Sequence, residues 1–361
     1  MTFPWEFGGE FHWPEQTGWP KASMVGPIFP DNTQLFGSGR DALRALLEWG
    51  KRERGWRQAW IPSYFCSDVT PVIESCMERT EVYEDSPLYP APLLPPEPTS
   101  EQDVVILVNF FGLRGPRAFE AFASSAATSI VDQSHDPWSS QALASRAGFC
   151  FASLRKTLPI PDGGALWSPM GNELPHTVPA TDERRIASHL KLSAMVLKAA
   201  YLAGGRIDKD QFRTLQIEGE QGIASGEVSG ATELVRELLK IMPYDSWREA
   251  RRSNWEFLAS ALRAEEGIRV LEPYDEEAYP FSLVVDLGTK KIRNYVRSRL
   301  IEESIYTAVL WPLDESRRDE RTRAAIDLSH RLLSVPCDFR YSEEDLSRVA
   351  RCITAAIRSD R

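Results

Sequence analysis

The run Asp-Val-Val-Ile-Leu-Val-Asn-Phe-Phe-Gly at 103–112 is the feature that most narrows the possible folds. It is apolar, rich in β-branched residues, and too short and too branched for an ordinary helix. A strand without polar alternation is buried on both faces, which is the condition of strands in a covered parallel sheet. The neighbouring segments repeat the pattern. Short apolar strands are predicted at 59–65 (ending near Pro62), 80–85, 129–136, within Gly-Phe-Cys-Phe-Ala-Ser-Leu (148–154) and within Gly-Gly-Ala-Leu-Trp-Ser (163–168). Helical spacing is predicted at 37–54, where Leu43, Leu46 and Leu47 share a face, and at 67–79 and 116–126. Strands alternating with helices imply an α/β fold with a mostly parallel sheet covered on both sides. In such sheets ligands bind at the carboxyl ends of the strands.

Beyond residue 180 the pattern changes. Long helices are predicted at 182–204 and 231–264, the second interrupted at Pro243. Two strand-like runs (280–287 and 306–311), with helices at 289–303 and 343–358, make an α+β unit. The expected division is a large α/β domain with an N-terminal arm at 1–245 and a small C-terminal α+β domain at 246–361, as suits 361 residues. Ser342 and Asp345 are spaced as an N-terminal helix cap. The proline-rich stretch 86–100 reads as an irregular loop.

The net charge of −10 argues against a general nucleic-acid binder. No apolar run is long enough for a membrane span. The acidic, aromatic N-terminus lacks a signal peptide's basic and apolar regions, so a cytoplasmic protein is expected. Five scattered cysteines form neither a disulfide framework nor a metal knuckle, and the five histidines make no HxH or HxxxH pair; no metal site is expected.

Lys156 is the sole lysine between Lys51 and Lys191, and it lies in a Pro/Gly-rich turn between two buried strands. Asp132 ends a buried strand, where a carboxylate needs a partner or a turn to cap. His135 follows three residues on; taken singly, such a histidine is more often structural than catalytic. Phe-Gly-Ser-Gly-Arg-Asp-Ala-Leu (36–43) places small residues before a helix, an arrangement suited to a phosphate but common without one. Together these four features fit pyridoxal phosphate: a lysine for its aldehyde, an acid for its ring nitrogen and a cup for its phosphate.

The order of the pieces resembles the fold-type I pyridoxal-phosphate enzymes, and more narrowly the DegT/DnrJ/EryC1/StrS aminotransferase family. The resemblance rests on FGSGRDALRALL, IPSYFCSDV, ILVNFFG, VDQSHD, SLRKTLPIPDGGAL and LLSVPCDFRYSEEDLSRV. It implies a homodimeric aminotransferase acting on small molecules. Lys156 would be the Schiff-base lysine and proton carrier, Asp132 the partner of the pyridine nitrogen, and His135 a neighbour of the phenolic oxygen. Ser153 and the backbone of Gly39 and Arg40, with Ser38 nearby, would hold the phosphate. Phe65, or second Tyr64, would stack on the ring, and Asn109 would lie beside it. Arg340 is a candidate for a substrate carboxylate or a structural arginine of the small domain. The family's Gly-x-Asn-x-Arg-Met stretch after the lysine strand, which helps complete the neighbouring subunit's site, has no counterpart in the Gly-Glu-Gln-Gly-Ile-Ala region (219–224). That departure weakens the case for a nucleotide-sugar substrate. It leaves 174–185 as a candidate lid or entrance loop and keeps two alternatives open: a lyase of the same fold, and a non-enzymatic relic.

Overall fold

The computed structural model describes residues 4–15, 29–93, 95, 99–115 and 117–359. The N-terminal sequence features at 1–3 and 16–28, part of the proline-rich loop, and Pro116 therefore lie outside the described residues.

The chain opens with β1 (Phe7–Gly8) and then builds its main sheet in alternation. The elements are β2 (Gln34–Phe36), α1 (Gly39–Glu53), β3 (Gln58–Pro62), α2 (Thr70–Cys76), β4 (Arg79–Tyr83), β5 (Asp103–Val108), β6 (Thr128–Asp132), α3 (Ser140–Ala144), β7 (Phe149–Ser153) and β8 (Gly164–Trp167). Then follow α4 (Asp182–Leu202), α5 (Lys209–Ala224), α6 (Glu233–Leu238), α7 (Tyr244–Leu262), β9 (Arg269–Val270), β10 (Leu283–Asp286), α8 (Lys290–Glu302), β11 (Ile305–Tyr306), α9 (Arg323–Arg331), β12 (Leu332–Val335) and α10 (Glu343–Ser359).

The seven-stranded sheet has the order β2-β8-β7-β6-β5-β3-β4. Strands β3 to β7 are mutually parallel; β8 runs antiparallel beside β7, and the edge strand β2 runs antiparallel to β8. The apolar run that constrained the fold behaves as its composition requires. Val104, Ile106 and Val108 of β5 enter one core with Leu43, Leu46 and Leu47 of α1. Val105 and Leu107 enter another on the opposite face, with Val131, Trp167 and Met242. Both faces are thus covered. A second sheet, β12-β10-β9, packs with α7, α8 and α10 around a third core that also takes in Phe7. No helix among the described residues is long and apolar enough to cross a membrane.

Register brings the loop ends together. Val108 pairs with Asp132, and Asp132 pairs with Phe151. Ser153 pairs with Gly164, which pairs with Phe36. The ends of β5, β6 and β7, the start of β8 and the entry to α1 therefore meet at one edge of the sheet.

Several predicted bounds are corrected. The strand expected at 103–112 stops at Val108, because Phe111 (φ 55°) and Gly112 (φ 70°) take left-handed conformations that no strand accommodates. The helix expected at 116–126 is only a 3-10 segment, Glu120–Ser124. The strand expected at 306–311 ends at Tyr306, since beyond it Ala308 makes only an isolated bridge to Ser334. The interruption expected at Pro243 is present, with α6 ending at Leu238 and α7 starting just after Pro243. Ser342 and Asp345 form the expected cap, with Asp345 N–H donating to Ser342 Oγ at 3.3 Å and Ser342 Oγ donating to Asp345 Oδ2 at 2.8 Å.

Candidate active site

A cavity of about 410 Å³ opens at that edge. Small-molecule sites commonly span roughly 300–1,000 Å³. Six of the sequence-predicted residues line it: Ser38, Gly39, Arg40, Asp132, Ser153 and Lys156.

The cup at α1 is set by close backbone approach. A Cβ on Gly164 would stand 2.1 Å from Ser38 O, and one on Gly39 would stand 3.0 Å from Ser153 N. Only glycines let the α1 entry lie against β7 and β8. Ser38 caps α1, its Oγ accepting from Asp41 N–H at 3.1 Å and donating to Asp41 Oδ2 at 2.9 Å. That oxygen also takes Arg184 Nη2 at 2.7 Å. The Ser38 hydroxyl is thus committed, and the first-turn amides of Gly39 and Arg40 are what α1 presents at its positive end.

Asp132 is 4% exposed, and its Oδ1 accepts from Ser134 N–H at 2.8 Å. Ser134 Oγ in turn accepts from Ser153 N–H at 2.9 Å. This chain of contacts fixes the ends of β6 and β7 relative to each other. Lys156 sits in a 3-10 turn just after β7 and is half-buried. Its Nζ lies 5.4 Å from the centre of the Trp311 ring, and no hydrogen bond or ion pair engages it among the described residues. An amine without a carboxylate partner, beside a cavity, can act as a nucleophile or proton carrier.

Five predicted residues do not line this cavity. Tyr64 is fully buried and donates its hydroxyl to Leu310 O, which turns it away. Phe65 is 3% exposed and packs edge-on against Trp311 at 6.4 Å. The next residue, Cys66, lines the cavity instead. Burial pushes the Cys66 thiol up, with Lys156 opposing, so it remains a thiol at neutral pH. Asn109 donates to Gln133 Oε1 at 3.1 Å behind the sheet edge. His135 accepts the Phe111 N–H on Nδ1 at 3.0 Å and stacks on Trp311 at 5.6 Å. Burial, then Lys156, holds its pKa well below the ordinary value. It is a neutral imidazole with its proton on Nε2, which has no partner. Arg340 does not line this cavity either: its Nε and Nη2 are taken by Asp338 at 2.7 and 2.8 Å.

Sequence reasoning missed the other wall. Helix α5, whose weak apolar spacing gave no signal, brings Glu220 to the cavity, where it binds Arg155 at 2.6 Å, Lys191 at 3.2 Å and Arg40 at 3.9 Å. Burial would raise the Glu220 carboxyl, but Arg155 and Lys191 outweigh it and bring the pKa down to about 2. The segment that lacks the family's Asn-x-Arg thus folds back into its own chain's cavity. Residues 174–185 do not line it, so they are not a lid over it. That position is held by the N-terminal arm, through Gly9, Glu10 and Phe11.

The arm is held by β1 pairing with β11, by Gly8 N–H donating to Tyr341 Oη at 2.8 Å, and by Lys198 and Arg340 donating to Glu10 O at 2.8 and 3.2 Å. His12 in this arm has its pKa lowered to about 4 by burial, then by Arg340 and Lys198. The docked arm therefore binds fewer protons than the released arm between about pH 6.5 and pH 4. Docking is fully stable above that window and weakens as pH falls through it. Proteolysis within the arm should be faster at pH 5 than at pH 7.5, and His12→Gln should flatten the difference. Equal cleavage of the parent protein at both pH values would rule this out.

No protein-family model matches the chain, and no curated protein sequence does. Solved structures do match in fold. A sugar aminotransferase from Streptococcus pneumoniae, Spr1654, in its PLP form, superposes with a TM-score of 0.63 at 15% identity, covering 98% of this chain and 99% of that one. S. venezuelae DesV, in complex with a ketimine intermediate, gives 0.59 at 16% identity over 91% of this chain and 86% of that one. A DegT DnrJ EryC1 StrS aminotransferase from Brucella abortus gives 0.55 at 15% identity over 91% and 85%. The chain therefore carries the fold of these aminotransferases, the fold-type I architecture that the resemblance implies, built on the mostly parallel sheet that the alternating strands and helices predict.

Proposed function

We propose that this protein is a pyridoxal-phosphate-dependent aminotransferase that moves an amino group between a small donor and a ketone or aldehyde acceptor. One observation carries the reading. Asp132 at the end of β6, Lys156 just after β7 and the amide-rich start of α1 all line the same cavity. The residues fit the cofactor: the close approach that Gly39 and Gly164 allow leaves a backbone cradle, and Lys156 offers an amine without an acidic partner. Spr1654, which matches in fold and is named a sugar aminotransferase in both a PLP form and a PMP form, supports the same class.

When bound, the cofactor would supply an aldehyde that condenses with amines and a ring that draws electrons from the reacting carbon. The chain's own residues would do the rest. Lys156 would hold the aldehyde and, once released, carry a proton on Nζ to and from the substrate carbon. Asp132 would keep a proton on the ring nitrogen. Gly39 N–H, Arg40 N–H and Ser153 would bind the phosphate. His135 and Asn109 would stand just outside the cavity as supports, His135 with its unpartnered Nε2–H available as a donor. Residues 1–245 would carry the cofactor and 246–361 would flank the substrate, in a homodimer.

The test is the visible spectrum of the purified protein with pyridoxal phosphate, beside Lys156→Ala, before and after adding glutamate. A band that requires Lys156 and bleaches with glutamate is expected. No band in either protein would overturn the reading. A stable band with release of ammonia or carbon dioxide from a substrate would move the chain to lyase chemistry.

A further inference from the structure

A second, smaller cavity of about 260 Å³ lies beside the first, and the two share Gly9, Phe11 and Lys156 in their walls. We propose that Phe11, held in place by Arg340, is the partition between them and limits the length of the substrate chain that can extend past Lys156. The inference rests on the aminotransferase reading for Lys156 as the reacting amine, and on the geometry of the arm for the limit.

Of the three shared residues, Gly9 has no side chain and Lys156 is the reacting group, so the bulk of the partition is the Phe11 ring. The arm that carries it is pinned on both sides. Before Phe11, Gly8 N–H donates to Tyr341 Oη at 2.8 Å, Lys198 Nζ donates to Glu10 O at 2.8 Å, and the Glu10 carboxylate takes Lys191 Nζ. After it, Trp13 N–H donates to Met195 O at 2.9 Å.

The ring is fixed as well as the backbone. It lies 6.0 Å from Phe339 with an interplanar angle of 11°, and Phe339 in turn lies 4.1 Å from Trp247 at 8°. The Arg340 guanidinium stands 4.4 Å from the centre of the Phe11 ring, within the range of a cation–π contact. Arg340 is itself held, because Asp338 accepts from its Nε and Nη2 at 2.7 and 2.8 Å and Glu10 O accepts from its Nη1 at 3.2 Å. Arg340, the candidate read from sequence for a substrate carboxylate, thus acts through Phe11 as a positioning residue.

The second cavity has apolar wall beyond the ring, from Phe281, Leu310 and Pro336. A hydrocarbon chain that reached it would gain about 4-fold in affinity for each methylene buried. With Phe11 in place that gain is withheld. The site therefore selects short-chain amines and carbonyl compounds over longer ones.

The experiment is calorimetric titration of the full chain loaded with pyridoxal phosphate, using propylamine and hexylamine. In the parent protein, hexylamine is expected to bind no more than about 2-fold more tightly than propylamine. In Phe11→Ala the preference for hexylamine should rise to at least about 10-fold, with propylamine nearly unchanged. Arg340→Met, which takes the cation off the ring face, should give an intermediate preference. Phe11→Leu should do the same, and by keeping an apolar side chain on the arm it keeps the test readable if Phe11→Ala does not fold. The same length preference in the parent and all variants would overturn the proposal. So would equal gains for both amines, which would mean a released arm rather than an opened partition. Either result beside a Lys156-dependent visible band would leave the aminotransferase reading standing. No band and no amine binding in any of the proteins would overturn both.

Discussion

Asp132→Asn should lower the rate of amino transfer by about 10²–10³-fold, the loss typical when one pre-set electrostatic group is removed from a reacting centre. The substitution keeps the shape. The asparagine Oδ1 can still accept the Ser134 N–H that holds Asp132 at 2.8 Å, so the end of β6 and the Ser134–Ser153 contact beside it should survive. What disappears is the negative charge at the cavity wall. On the proposed reading, nothing else lining the cavity beside β6 among the described residues would favour a protonated ring nitrogen, and proton removal by Lys156 would slow. Pyridoxal phosphate should still bind, because the α1 amides and Ser153 are untouched. The visible band should persist while turnover collapses, and the unfolding midpoint should hold or rise, since a buried carboxylate becomes neutral. Single-turnover bleaching with an amino donor measures this directly. An undiminished rate would remove Asp132 from the chemistry and leave it as the cap of the β6 turn.

The parts of this arrangement that were legible in the sequence are those fixed by short-range pattern. The unbroken apolar run of β5, the helical spacing of Leu43, Leu46 and Leu47, and the placement of Asp132 and Lys156 just past apolar strands each depend on a few neighbouring residues. The sheet register then carries those strand ends to one edge. What could not be read depends on contacts across hundreds of residues. Gly9 to Phe11 reach the cavity because β1 pairs with β11, and Gly8 meets Tyr341, 333 positions away. Helix α5 has little amphipathic signal of its own, and its role rests on Glu220 meeting Arg155, Lys191 and Arg40. The arginines of the C-terminal half look alike in sequence. Arg340 is told apart from the others only in three dimensions, where Asp338 holds it. Tyr64 and Phe65 stand outside the cavity lining for a similar reason. Aromatics after a strand can face the ligand or the core, and here Trp311, brought in from a distant loop, draws both inward.

Arg114→Leu should destabilise the fold by about 3–5 kcal/mol, the range for stripping one partner from a buried ion pair. Arg114 and Asp85 are 1% and 0% exposed in their side chains. Every guanidinium donor is used. Nη1 and Nη2 reach the two Asp85 oxygens at 3.0 and 2.5 Å, and the remaining donors go to Val108 O at 2.7 Å and to Tyr89 O and Ser86 O at 3.3 Å. The pair ties the chain after β4 to the end of β5, across β3, at the edge where the cavity forms. Leucine fills part of the space but leaves Asp85 with the Ser86 N–H as its remaining support. Burial pushes the Asp85 carboxyl up, and in the parent protein Arg114 pulls it back. Without Arg114 the upward push of burial is opposed only by the Ser86 N–H. Its folded pKa then lies above its unfolded one, so the variant binds more protons folded than unfolded and loses stability as pH rises. The deficit should therefore be larger at pH 8 than at pH 5, when urea unfolding of variant and parent is compared at each. Replacing both residues, Arg114→Leu with Asp85→Leu, should recover much of the loss, because the unpaired charge is gone. A deficit that is the same at both pH values and in the double variant would mean that the lost packing and backbone contacts, rather than the stranded carboxylate, set the cost.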